Sequence, residues 1–97
     1  YHFISNDQYS IRTLSPLKME KDVEFYEIVL HANATLESDP HFRNTEEIIT
    51  IARGRVKIHA GKEEEILRKG DSAHYSADTP HQIENPNKAD AVVYMVV

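Results

Sequence analysis

Apolar and polar residues alternate along most of this chain, and turn-forming residues interrupt the alternation at short intervals. A period of two is typical of strands with one buried face, whereas helical spacing is scarce here. Gly, Pro and Asn lie between the alternating segments, where they favour turns. The pattern predicts eight strands: Tyr9–Leu14, Val23–His31, Glu47–Ala52, Arg55–His59, Glu64–Arg68, Ser72–Ser76, His81–Glu84 and Ala91–Val97.

This density of short strands without helices predicts an all-β fold. Closed barrels and jelly rolls are favoured because they leave few strand edges exposed. A chain of 97 residues has the length of one domain, so we expect residues 1–97 to form a single domain.

Two polar side chains are predicted to point into the barrel. Successive side chains of a strand lie on opposite faces, so Glu47 shares a face with Ile49 and Ile51, and His81 shares one with Ile83. A buried carboxyl or imidazole group is costly unless it is paired or bound to a metal. The two residues therefore predict a shared ligand site, with a hydrogen-bonded core pair as the alternative.

Other residues are assigned by the same alternation. Tyr75 lies on the inner face, where we expect it to fill the barrel and line the pocket, and Ile49 is a second candidate for ligand contact. His59 and His74 fall on the outer faces. The acidic run at residues 63–65 is interpreted as a solvated hairpin turn.

A divalent metal is a further possibility. His41 lies six residues before Glu47 in a polar loop that can close over the same opening. Two His and one carboxylate form a known metal set, so we predict His41, Glu47 and His81 as ligands, of zinc first and otherwise of iron, manganese or nickel. Arg43 is either an anion clamp for a bound ligand or a surface cation.

Composition excludes several classes of function. The net charge is −5, from 16 acidic and 11 basic residues, and the basic residues are scattered, which argues against direct binding of nucleic acid. The absence of cysteine excludes disulfides, thiolate zinc sites and cysteine nucleophiles. The apolar run 91–97 is too short for a membrane helix, which needs about 20 residues. It is apolar on both faces, so we expect the second sheet and a second subunit to cover it.

An ordered set of residues resembles the two motifs of the cupin superfamily. The first motif is matched by His41, Glu47 and Gly54, and the second by Gly70-Asp71, Pro80-His81 and Asn85. The fifteen residues between Gly54 and Gly70 are similar to the short hairpin of compact bacterial cupins. The resemblance implies a cupin double-stranded β-helix, a small jelly-roll barrel, with ligands at His41, Glu47 and His81. Arg43 occupies the position of a second histidine of the first motif, and Arg does not ligate metals.

Residues 37–41, followed by Glu47, resemble the cupins fused behind a helix-turn-helix in bacterial XRE-type transcriptional regulators. This resemblance implies a DNA-binding domain upstream of Tyr1, a small-molecule effector, a homodimer and a cytoplasmic location away from membranes. The leading hypothesis is a ligand-sensing domain without catalysis, in which binding shifts two subunits and their DNA-binding domains. The alternatives are a metal-dependent cupin enzyme, an oxygenase or isomerase, and a barrel kept only for dimerisation.

Overall fold

A computed structural model describes residues 3–15, 24–38, 46–76 and 81–97. The described residues form ten strands and no helix. The strands are Phe3–Ser5 (β1), Tyr9–Thr13 (β2), Phe25–Leu30 (β3), Thr35–Ser38 (β4), Glu46–Arg53 (β5), Arg55–Ala60 (β6), Glu63–Arg68 (β7), Ser72–Ser76 (β8), His81–Glu84 (β9) and Ala91–Val96 (β10).

The strands form two sheets. One has six strands in the order β1-β2-β3-β10-β5-β8, and the other has four in the order β4-β9-β6-β7. Neighbouring strands are antiparallel. The all-β prediction is confirmed, and each predicted strand has a counterpart, although residue 23 lies outside the described residues.

Two strands were not predicted, namely β1 and β4. In β4, Leu36 is the only apolar residue, so the segment lacks an alternating pattern. It is a strand because it pairs with β9, where Leu36 lies opposite Ile83. Pairing in three dimensions, and not local sequence, defines this element.

The core lies between the inner faces of the two sheets. Its fully buried members include Leu30, Ile49, Val56 and Val93, each 0% exposed. The predicted alternation is confirmed in β5, where residues 47, 49 and 51 are buried and residues 46, 48 and 50 are exposed. The same alternation places the side chains of the candidate site inside.

Gly54 is the single residue between β5 and β6. Its φ is +80°, a conformation that favours glycine because it has no Cβ. A Cβ at this position would also lie 3.3 Å from Ala91. Both features explain why glycine is found at this first-motif position.

The acidic run does not form a turn, and the interpretation made from sequence was wrong on this point. The turn is at Gly61-Lys62, and β7 already begins at Glu63. Gly61 adopts a φ of +61°, which lets two residues reverse the chain. The three glutamates are exposed, as expected, but they alternate across the faces of an edge strand.

The last strand is covered on one face by the core. Ala91, Val93 and Met95 are buried, whereas Val92 and Val96 are partly exposed on the outer face. Whether a second subunit covers that face stays a prediction. No helix among the described residues is long and apolar enough to cross a membrane.

Candidate functional site

Glu47 and His81 meet between the two sheets. Glu47 is the second residue of β5 in the six-stranded sheet, and His81 is the first residue of β9 in the four-stranded sheet. The Nε2 atom of His81 lies 3.4 Å from Oε2 of Glu47, and their side chains are 0% and 2% exposed. The structure therefore brings together two of the residues predicted from sequence, and their contact joins the sheets.

Tyr75 completes a polar group of three side chains. It lies opposite Glu47 across the β5–β8 pairing, and its hydroxyl donates to Oε1 of Glu47 at 3.0 Å. Its ring centroid is 5.0 Å from that of His81, with a tilt of 53°. Burial, together with the charge of Glu47 and the hydrogen bond to it, raises the pKa of Tyr75. The phenol therefore remains a hydrogen-bond donor at neutral pH.

Tyr26 is a neighbour that the sequence analysis did not select. Burial, the hydrogen bond to Glu24 and the charges of Glu24 and Glu47 raise the pKa of Tyr26 to about 12. Tyr26 packs against the core from β3, in the same six-stranded sheet as Glu47. The two-residue period of β3 could have identified it, because Tyr26 lies on the same face as the buried residues Ile28 and Leu30.

The other predicted residues are distributed as follows. Ile49 is fully buried in the core, two residues after Glu47 on the same face of β5. His74 is on the outer face, as predicted, and contacts Glu46 at 3.2 Å. His41 and Arg43 lie outside the described residues, so their roles stay predictions.

The described residues do not complete a metal site by themselves. They contain no group of three or more His, Cys, Asp or Glu side chains arranged to hold a metal ion. Glu47 and His81 would supply two ligands of such a site, and their close contact also suits a hydrogen-bonded pair. The three-ligand site with His41 therefore stays a prediction, and we derive no chemical step through a metal.

A small cavity and a broad groove lie on the described part of the molecule. The small cavity, of about 60 Å³, lies between β7 and β8 and is lined in part by Tyr75. The broad and open groove lies between the β1–β2 turn and β4, where Gln8 and Thr35 meet. The small cavity touches Tyr75 of the candidate site, and the groove does not touch Glu47, Tyr75 or His81.

Second-motif residues outside the site have structural roles. The carboxylate of Asp71 accepts from the backbone N–H of Arg68 at 2.9 Å and closes the β7–β8 turn. Asn85 is 0% exposed, and its amide donates to the carbonyls of Leu30, His31 and Ala89 at 3.0, 3.1 and 2.8 Å. These contacts account for both residues without a ligand.

Comparison with known proteins decides the family. The family model described as "Cupin domain" matches residues 27–97. The chain belongs to the cupin family. No curated protein sequence matches the chain significantly.

Solved cupin structures share the fold across almost the whole chain. The cupin domain of an XRE family transcriptional regulator from Enterobacter cloacae is 19% identical, with a TM-score of 0.87 over 93% of this chain and 95% of that one. An HTH_3 family transcriptional regulator from Vibrio cholerae is 25% identical, with a TM-score of 0.84 over 92% of this chain. This cupin domain spans only 49% of the Vibrio cholerae protein. A sugar phosphate isomerase of the cupin superfamily from Silicibacter pomeroyi is 22% identical, with a TM-score of 0.77 over 93% of this chain and 59% of that one.

Proposed function

We propose that this cupin domain senses a small molecule on behalf of a bacterial transcriptional regulator, without catalysing a reaction. The observation that carries the proposal is the buried group of Glu47, His81 and Tyr75, held at the junction of the two sheets. The similarity of the chain's fold to cupin domains of XRE and HTH_3 regulators supports the regulatory context. The DNA-binding domain and the cytoplasmic location belong to the same proposal.

The arrangement offers a route from ligand to subunit contact. A ligand that hydrogen-bonds Glu47 or His81 competes with the contact between them and thereby changes the spacing of the sheets. Glu47 points inward from β5, and the next residue, Ile48, points outward and is 49% exposed. Ile48 lies in an outer row with Val96 and Phe25, which the strand register places side by side.

This outer row is where we propose that a second copy of the chain packs to form a homodimer. Phe25 is 38% exposed, and adjacent apolar side chains on a sheet face favour burial against a partner. Since one strand carries both the site and the row, ligand binding can shift the relative position of two subunits.

A thermal-shift screen tests whether the site binds ligands. We expect at least one small molecule in a panel of cations, neutral polar compounds and anions to raise the Tm of the wild-type domain. A ligand at one hundred times its Kd stabilises by about 2.7 kcal/mol, which corresponds to roughly 10 °C or more for a domain of this size. The shift should disappear in Glu47→Gln, because the variant removes the carboxylate that accepts from Tyr75.

Glu46→Gln is the matched control, since Glu46 is the adjacent residue on the outer face and is largely exposed. It should keep the full shift. An equal shift in wild type, Glu47→Gln and Glu46→Gln would favour a barrel kept only for dimerisation. Conversion of the stabilising compound, followed by NMR over hours, would favour the enzyme alternative.

Elemental analysis tests the proposed metal. If His41, Glu47 and His81 hold a divalent ion, the domain purified without chelator or affinity tag should contain about one metal per chain, and His81→Ala should lose it. Absence of metal from both proteins would reject the three-ligand set. Glu47, His81 and Tyr75 would then act as hydrogen-bonding groups for an organic ligand.

A further inference from the structure

Basic side chains from three separate segments of the sequence are gathered at one end of the folded domain. Arg53 ends β5 and Arg55 begins β6, with a single glycine between them. Arg68, the last residue of β7, lies directly opposite Arg55, and Lys69 follows it. We call this surface the basic end, and its exposed members are Arg53, Arg55, Arg68, Lys69 and Lys88. The scattered order of basic residues in the sequence is therefore not preserved in the fold.

Arg55 is held in place by a polar network that is anchored in the core. Its Nη2 atom donates to Oδ1 of Asn87 at 3.0 Å, and Nδ2 of Asn87 donates back to the Arg55 carbonyl at 2.8 Å. The backbone N–H and Nδ2 of Asn87 both donate to Oδ1 of Asn85, which is 0% exposed. Lys88 is the next residue of this loop. The Arg55 guanidinium is thus positioned in advance, which lowers the ordering cost of binding a partner.

The cations of the basic end have no ion-pair partners among the described residues. Elsewhere in the domain, Arg12 and Lys57 each contact a glutamate at 3.1 Å, but no ion pair in the described ranges includes a member of the basic end. Arg55 and Arg68 instead face each other across neighbouring strands, an arrangement of like charges that is destabilising. An anionic partner would offset that repulsion.

Carboxylates close to the basic end are engaged with other groups. Asp71 accepts from the backbone N–H of Arg68 at 2.9 Å. Asp90 and Glu84 contact histidine side chains at 3.3 and 3.8 Å. The basic end therefore carries a local excess of positive charge, although the whole chain has a net charge of −5.

The basic end and the candidate ligand site lie at opposite ends of the same strand. Glu47 is near the beginning of β5 and Arg53 is its last residue, a separation of about 20 Å along an extended chain. A partner of the basic end would therefore leave the group of Glu47, His81 and Tyr75 accessible to a ligand.

The chemistry of the basic end fits phosphate groups. The planar guanidinium of arginine donates to two phosphate oxygens at once, and lysine adds a point charge. Three arginines and two lysines on one surface match a row of phosphates better than a single small anion.

We propose that the basic end contacts the phosphate backbone of DNA, next to the segment bound by the DNA-binding domain of the regulator. The inference rests on the proposed function, since a regulator bound to DNA brings its cupin domain close to the duplex. Such contacts position a protein on the duplex and do not read its sequence. The ligand-sensing domain would then contribute to DNA affinity directly.

The test is an NMR titration of the domain with a random-sequence DNA duplex of about 20 base pairs at several salt concentrations. We expect the amide signals of residues 53–55, 68, 69 and 88 to shift. Arg55→Gln with Arg68→Gln should weaken binding at least about tenfold and lower the slope of log Kd against log salt by about two, because two phosphate contacts are lost. The Tm of this variant should not fall, since the repulsion between the two cations is also removed.

Lys57→Gln with Lys62→Gln is the matched control, because it removes the same charge from the same hairpin. Lys57 is paired with Glu64, and Lys62 lies in the turn at the other end of β6. Affinity should change by less than about twofold, with an unchanged salt slope.

Asn87→Asp tests the basic end without removing a cation. The variant places a carboxylate where the Asn87 amide oxygen now accepts from Arg55, so the guanidinium becomes paired. We expect DNA binding to weaken by about fivefold. Unchanged affinity in this variant would mean that Arg55 does not contact the duplex.

Several outcomes would overturn the inference. One is equal affinity and salt slope in the wild type and in the variant without both arginines, and another is a set of shifts located at the site end. Tighter binding of poly-L-glutamate than of DNA would identify an acidic protein as the partner, and tighter binding of anionic phospholipid vesicles would identify a membrane surface. Failure of the proposed function has a separate signature, a panel without any compound whose stabilisation depends on Glu47 while DNA binding persists.

Discussion

Replacing His81 by Leu is expected to lower the free energy of unfolding by about 3–5 kcal/mol. The substitution leaves the Glu47 carboxyl buried, with Tyr75 as its remaining hydrogen-bond partner among the contacts described above. A buried polar group that loses its partner retains its desolvation cost. Chemical denaturation followed by circular dichroism measures the change.

The double variant Glu47→Leu with His81→Leu separates this explanation from simple loss of packing. Removing both polar partners leaves no buried carboxyl, so more than half of the lost stability should return. A double variant as unstable as the sum of both single variants would contradict the pairing and would show that the volume of these side chains matters most. Recovery of stability with loss of ligand response would indicate that the site is kept for function at a cost in stability.

Replacing Asn85 by Asp is expected to destabilise the domain by at least about 3 kcal/mol, although the two side chains have nearly the same shape. The Asn85 amide donates to three backbone carbonyls, and an Asp carboxylate has no donor to offer them. The three carbonyls would lose this shared donor at a position that is 0% exposed. Urea denaturation provides the measurement.

Asn87→Asp is the control, because Asn87 is only partly buried and its amide contacts the Arg55 carbonyl and Asn85. Its effect should be smaller by at least about 1 kcal/mol. Equal losses in both variants would mean that the loop tolerates changes at Asn85, and the structural role assigned to this motif residue would be incorrect. Ligand-dependent shifts in Tm should persist in Asn85→Asp wherever it folds.

The alternation along the chain was sufficient to predict the inner residues of the site. In β5 and β9, the two-residue period alone placed Glu47 and His81 on the buried faces. This succeeds because a strand leaves each side chain only two directions, and the apolar neighbours identify the inner one. Parity also placed Tyr75 inside and His74 outside.

Pairing across the fold decided the remaining features. The strand β4 exists because β9 lies beside it, since one apolar residue in four gives no pattern. The direct contact between Glu47 and His81 is a property of two sheets facing each other, and separation along the sequence does not encode that distance. Tyr26 lies in the same sheet as Glu47 because β10 pairs with both β3 and β5.

The acidic run at residues 63–65 shows most clearly which features follow from the sequence and which from the tertiary structure. Its composition determined that the three glutamates would be exposed, because solvation of charge does not depend on the fold. Which of them lie on the inner face of the sheet depended on where the turn ends and on the register between β6 and β7. The sequence by itself thus determined the fold class and, in the strands with a clear two-residue period, which side chains face inward, through local sterics and hydrophobic periodicity. Only the tertiary structure decided which of those faces meet, because contacts between distant strands depend on sheet packing and register.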